Sequence, residues 1–112
     1  MTHTKEVQKE IAATILSQLG GAGRLVAMTG AKNFMSHPEG ALSFKIGRNA
    51  KGVNYCKITL TADDLYTVEF KRVTIKKITD KGTTVGAYND MLHDLFEQAT
   101  GMYLTLGRVV FK

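Results

Sequence analysis

The sequence predicts an α+β fold: a single two-layer domain in which an antiparallel sheet of four to five strands carries an N-terminal and a C-terminal helix on one face. Three observations predict it. Apolar residues recur at helical spacing near both ends of the chain. Between them, three short runs alternate apolar and polar residues one by one, the pattern of half-buried strands. Short turn-forming stretches join those runs, which suits hairpins and leaves no room for the long crossovers of a parallel sheet.

The elements follow in order. Val7, Ile11, Ile15 and Leu19 lie four apart, with Ala12 and Leu16 beside them and Lys5, Glu6, Lys9 and Glu10 on the opposite side. This stripe predicts a helix over about 5–19, capped by Thr4 and stopped by Gly20-Gly21. The sheet is expected over about 24–79. Arg24 to Thr29 reads as its first, buried strand, because Leu25, Val26, Ala27 and Met28 are apolar without alternation. Phe34 and Met35 can resume that strand after a break at 30–33. Ser36 to Gly40 is turn-like.

Three alternating strands follow. Leu42, Phe44 and Ile46 share a face, as do Cys56, Ile58 and Leu60, and then Tyr66, Val68 and Phe70. The stretch 73–79 is strand-like but out of phase with Phe70, so a bulge is expected near Lys71-Arg72. Asp80-Lys81-Gly82 reads as a turn. Tyr88, Leu92, Leu95, Phe96 and Ala99 predict a second helix over about 87–100, ended by Gly101. The tail 102–112 is apolar enough for a short strand; a loose segment or a contact with another subunit are the alternatives.

The chain has 112 residues, which suits one domain spanning 1–112. A domain of this size buries roughly two-thirds of its unfolded surface, so it needs no metal or disulfide to fold. Its single cysteine, Cys56, cannot form an internal disulfide. No apolar run approaches the ~20 residues of a membrane span, and the N-terminus lacks the apolar stretch of a signal peptide. The expected location is cytoplasmic, away from membranes.

The net charge is +5, unevenly placed. The basic excess lies between residues 24 and 81, while Asp90, Asp94 and Glu97 form an acidic stretch. A polar field of this kind attracts a polyanion or a complementary subunit.

Little in the chain points to catalysis. Gly20-Gly21-Ala22-Gly23 follows a helix and precedes an expected strand, the reverse of the order a phosphate loop requires. His3, His37 and His93 are scattered, and no zinc-ligand spacing exists. Cys56 falls on an inner strand face as a small core residue. Asp63-Asp64 belong to a turn, and Asp90, Asp94 and Glu97 to a solvated helix face. The expectation is a protein that is not an enzyme and uses no cofactor and no metal.

The outer sheet face is the strongest candidate site. It carries Lys45, Tyr55, Lys57 and Lys71 with Thr59, Thr67 and Glu69. Arg48 and Lys51 stand in the adjoining loop, and Arg72, Lys76 and Lys77 at the expected bend. Basic residues around an aromatic ring suit single-stranded nucleic acid, with bases on the ring and phosphates on the cations. Lysines that solubilise an open sheet give the same pattern. Met28 to Phe34 reads as a structural turn, or as a binding loop presenting Lys32 and Asn33.

Several segments resemble a family of small proteins carried by bacteriophages and other mobile elements. They are Ser17-Gln18-Leu19-Gly20-Gly21, Met28-Thr29-Gly30-Ala31-Lys32-Asn33-Phe34, Leu42-Ser43-Phe44-Lys45, Ile58-Thr59-Leu60 with Asp64 and Tyr66, Glu69-Phe70, and Thr100-Gly101-Met102-Tyr103. The second is the most specific, and the resemblance covers most of residues 15–106. The family has no assigned activity, so the resemblance implies no catalytic residues. It implies a phage or prophage product acting in the cytoplasm of a bacterial host cell. In that setting the expected function is an accessory protein that binds nucleic acid. The alternative is a protein-interaction module, binding or inhibiting a host or defence protein through the second helix or the tail. Self-association into a homo-oligomer is a variant of the latter.

Overall fold

The computed structural model describes residues 4–49 and 51–102. Helix α1, Lys5–Gln18, starts where Thr4 Oγ1 accepts from the Val7 N–H at 3.2 Å. Ala12, Ile15 and Leu19 are buried, and Ile11 and Leu16 pack against them. Val7, the first residue of the predicted stripe, stays exposed.

The predicted first strand is instead a second helix, α2, Ala22–Thr29. Leu25 and Thr29, four apart, are its buried residues, and Val26 faces out. Thr29 Oγ1 donates to the Leu25 carbonyl at 2.6 Å. Glycines frame the helix. Gly21 precedes it, and Gly30 closes it in the left-handed region at φ 71°, with its N–H on the Val26 carbonyl. Three or four contiguous apolar residues carry no period, so the run alone could not separate a short helix from a buried strand. Past α2 the chain comes close to the sheet. The Gly47 N–H donates to the Thr29 carbonyl at 2.8 Å, and a Cβ at residue 47 would lie 3.1 Å from that oxygen.

Five strands form one antiparallel meander in the order β1-β2-β3-β4-β5. They are β1 (Lys32–His37), β2 (Ala41–Lys45), β3 (Tyr55–Leu60), β4 (Tyr66–Val73) and β5 (Ile78–Ala87). The predicted inner face is the buried one. Leu42, Phe44, Ile46, Cys56, Ile58, Tyr66, Val68 and Phe70 are buried, and Leu60 packs beside them.

The end of the sheet departs from the sequence reading. The β4–β5 turn is at Thr74–Lys77, where the Thr74 N–H donates to the Lys77 carbonyl at 2.9 Å. Asp80-Lys81-Gly82 lies inside β5. Phe70 pairs with Gly82 and Lys71 with Asp80, so Lys81 is the extra residue of a bulge. The irregularity therefore sits opposite Lys71, on the partner strand. Asp80 Oδ1 accepts from the Gly82 N–H at 3.0 Å, a turn-like bond inside a strand, which is why the composition reads as a turn.

β5 reaches Ala87, so the C-terminal helix begins later than predicted. One 3₁₀ turn, Asn89–Met91, leads into α3, Leu92–Thr100. Leu92 and Phe96 are buried, whereas Tyr88 is exposed and outside the stripe. The Phe96 ring lies 6.2 Å from both Phe44 and Phe70, which fixes α3 over the inner face. Helices thus occur at both ends of the chain, on the same face as α2. The tail beyond Met102 lies outside the described residues. No single described helix is long and apolar enough to cross a membrane, and the pair α1 and α2 is bent by 56°.

Candidate nucleic-acid interface

An antiparallel meander brings alternate strand ends together. The starts of β1, β3 and β5 and the ends of β2 and β4 share one end of the sheet. That end is basic. Lys32 opens β1 and Lys45 closes β2. Arg48 and Lys51 lie in the β2–β3 loop, and Lys71 and Arg72 near the end of β4. Lys76 and Lys77 form the β4–β5 turn, and Lys81 is the bulge residue of β5. Nine of the fifteen lysines and arginines stand here. The acid interspersed among them is Asp80.

The opposite end collects acids. Glu39 lies in the β1–β2 turn, Asp63 and Asp64 in the β3–β4 turn, and Asp90 just after β5. Glu10 of α1 lines one shallow pocket with Leu60 and Tyr66 at that same end. The molecule is polarised along its strands.

On the outer face, pairing aligns Lys32, Lys45, Tyr55, Lys71 and Asp80 in one cross-strand row. At the usual strand spacing that row spans about 19 Å. Tyr55 stands between Lys45 and Lys71 and is half-buried. The next row holds Met35, Ser43, Lys57, Glu69 and Thr83. Charge there is already matched. Lys57 Nζ is 2.7 Å from Glu39 Oε2, and Lys71 Nζ is 3.4 Å from Glu69 Oε1. The hydrogen bond from Lys57 holds the Glu39 carboxyl below its ordinary value, and the same bond raises Lys57. Lys57 therefore belongs to an internal ion pair, away from the basic end. Among the described residues, no carboxylate lies within 4.0 Å of the charged nitrogens of the other eight cations at that end.

The loop that presents Arg48 and Lys51 is tied down by one side chain. Asn49 Nδ2 donates to the Gly47 and Val53 carbonyls, while its Oδ1 accepts from the N–H groups of Lys51 and Val53, each at 3.2 Å. Asn54 continues the ladder. Its side chain accepts from the Val73 N–H at 2.7 Å and donates to the Val73 carbonyl at 2.8 Å. Arg48 and Lys51 are exposed beside these bonds.

Lys32 and Asn33 are part of β1. Lys32 pairs with Lys45, and the next pair is Met35 with Ser43, so an extra β1 residue is accommodated there. Asn33 has φ 58°, the left-handed conformation asparagine tolerates. Lys32 joins the basic end, and Asn33 shapes the edge. Lys81 is the cation that sequence reasoning left out of the site, because its neighbours Asp80 and Gly82 signalled a turn. The excess of lysine over acid from 71 to 81 was the signal that pointed to it.

Other candidate chemistry is weaker. His37 Nε2 is hydrogen-bonded to Ser43 Oγ at 2.7 Å on the outer face. His93, Asp94 and Glu97 bring ligand atoms within 4.8 Å of one another on one turn of α3. His93 Nδ1 lies 3.7 Å from Glu97 Oε2, the i,i+4 contact expected on a helix. Cys56 is fully buried, and burial pushes its thiol far above the ordinary range, which suits a core residue and opposes a nucleophile.

No protein-family model, no curated protein and no solved structure matches this chain.

Proposed function

We propose that this protein binds single-stranded nucleic acid at the basic end of its sheet and performs no chemistry on it. The observation that supports this reading is the separation of charge: nine cations at one sheet end, acids at the other. Such a field steers a polyanion to one end and repels it from the opposite end. Phosphate contacts supply the affinity, and Tyr55, flanked by two lysines, offers one ring edge or face to a base. In the setting implied by the sequence resemblance, this is a bacteriophage accessory protein in the host cytoplasm.

The test is fluorescence anisotropy with a labelled single-stranded oligonucleotide and its duplex, at about 50 and 200 mM salt. For three to four phosphate contacts, a slope of about 0.7 per phosphate predicts affinity falling about 20- to 50-fold across that range. Absence of binding at the lower salt overturns the proposal.

A second reading, a protein-interaction module, draws on a different observation. Ile75, Ile78, Val85 and Tyr88 are exposed apolar residues along β5 and its flanks. Apolar residues on an open strand edge suit strand addition by a partner protein or a second copy. A nuclease-treated pull-down that recovers a stoichiometric protein supports it. Recovery of nucleic acid alone counts against it.

A further inference from the structure

Two of the nine cations are not spread over the surface. They converge on Gly52. Arg72 Nη1 lies 3.4 Å from the Gly52 carbonyl oxygen. A Cβ built at Gly52 would lie 3.5 Å from Arg72 Nη1 and 4.0 Å from Lys81 Nζ. The two cationic nitrogens are therefore no farther apart than those two distances combined. One residue comes from the end of β4 and the other from the β5 bulge, and the β2–β3 loop brings the glycine to meet them.

The construction is deliberate in backbone terms. Gly52 has φ 73°, which a side chain disfavours, and its N–H is engaged by the Asn49 carbonyl at 3.2 Å. Lys81 reaches the spot because it is the unpaired residue of the bulge, and bulges re-aim side chains. The nearby carboxylate, Asp80, directs Oδ1 to the Gly82 N–H at 3.0 Å and to the Thr83 hydroxyl. Among the described residues, neither cation has a carboxylate within 4.0 Å. Two like charges held over one glycine, each within 4.0 Å of the same Cβ position and without a counter-charge, suit an anion between them. Arg72 spends one of five N–H groups on the Gly52 carbonyl, and a phosphate oxygen accepts such donors at about 2.8 Å.

We infer that Arg72 and Lys81, converging over Gly52, form a seat for a single phosphate group, the phosphodiester of a bound strand. The inference deepens the nucleic-acid reading and rests on it for the identity of the ligand. The seat itself is tested separately, with inorganic phosphate as the probe.

The experiment is an amide and guanidinium NMR titration of the full chain with inorganic phosphate, against sodium chloride at equal ionic strength. Phosphate is expected to shift the Gly52 and Lys81 amides and the Arg72 Nε–H in a saturable way, while chloride leaves them in place. In Arg72→Gln and in Lys81→Gln that response should fall at least fivefold, with the Phe44 and Phe96 amides unmoved as evidence of an intact fold. Equal response to both salts, or phosphate shifts that survive both substitutions, overturns the seat. Adding a short oligothymidylate then separates the two claims. If it shifts the same three groups, the seat holds a strand phosphate. If the oligothymidylate leaves them in place while phosphate still shifts them, the strand assignment fails and a free-anion seat remains, whereas the nucleic-acid reading itself fails only if the oligonucleotide does not bind at low salt.

Discussion

Lys57 Nζ and Glu39 Oε2 meet at 2.7 Å, binding the centre of the sheet's outer face to the β1–β2 turn. The pair matches the charge of the most central lysine of that face, so Lys57 adds less to the field at the basic end than the cations that have no carboxylate partner. Lys57→Gln is therefore expected to leave oligonucleotide affinity within about twofold, losing at most a weak long-range attraction. Its cost in stability should be under about 1 kcal/mol, because Glu39 is largely exposed and solvent screens the pair. The pH dependence has a definite sign. The folded Glu39 carboxyl is depressed from 4.5, so its contribution is complete above that value and is lost as pH falls through the lower folded value. Lys57 is raised from 10.5, so its contribution is present below that value and is lost as pH rises beyond it. Urea midpoints of wild type and Lys57→Gln should differ at pH 7 and converge once the pH has fallen below the depressed Glu39 value.

The basic end predicts the opposite behaviour. Arg48 and Lys51 are exposed, lie on the same loop and have no carboxylate partner among the described residues. Arg48→Glu with Lys51→Glu should leave the urea midpoint nearly unchanged, since surface changes away from packed features cost within about 0.5 kcal/mol. Oligonucleotide binding should weaken at least tenfold and lose part of its salt dependence, by about 0.7 in slope for each phosphate contact removed. An unchanged salt slope would place the strand elsewhere.

Asn49 separates charge from geometry. Its side chain holds both ends of the loop through four hydrogen bonds and carries no charge. Asn49→Ala leaves half-buried backbone groups to find new partners, at a cost of about 1–3 kcal/mol. The loop that positions Arg48 and Lys51 loses its scaffold while every cation remains. Binding should weaken through faster dissociation, with the salt slope preserved. A slope that falls together with affinity would instead mean that Asn49 acts by moving a phosphate contact out of reach.

Packing gives a sharper test of the fold. Phe96 joins α3 to Phe44 and Phe70 and is itself buried. Phe96→Ala should cost about 3–5 kcal/mol, a large part of the margin of a domain this size. Thermal melts read the loss directly. A drop of only a degree or two would detach α3 from the sheet.

Strands β2 to β4 were legible because alternation is read residue by residue: the inward residues from Leu42 to Phe70 are buried or packed against the core. α1 was legible through its stripe and through Thr4. α2 was hidden because Leu25 to Met28 has no period, although Leu25 and Thr29 at i,i+4 between two glycines carried the helical signal. The Thr74–Lys77 turn was hidden because it lacks glycine and proline, while Asp80-Lys81-Gly82 has the composition of a turn and forms a bulge instead. The basic residues themselves were visible in the sequence. Their gathering at one sheet end depends on which strand ends coincide, and that is set by topology. The pairing of Lys57 with Glu39 was hidden because the two residues lie eighteen apart in the chain.

Cys56 supplies a last prediction, on the integrity of the core. It lies on β3 between Phe44 and Phe70 in one inward row and is fully buried. Desolvation raises its thiol first, and the charge of Glu69 adds to that. Reaction with a thiol reagent requires both exposure and a thiolate, so the native protein offers neither at neutral pH. Labelling must wait for opening of the β2–β4 core. Relative to the urea-unfolded chain, it should be slowed at least about a thousandfold if the opening costs 5 kcal/mol or more. Phe96→Ala should speed the reaction in proportion to its loss of stability, while Arg48→Glu with Lys51→Glu should not change it. Immediate labelling of the native wild type would place Cys56 outside the core and reverse the two faces of the sheet. The basic row through Lys45, Tyr55 and Lys71 would then lie under the helices, and the proposed interface would be lost with it.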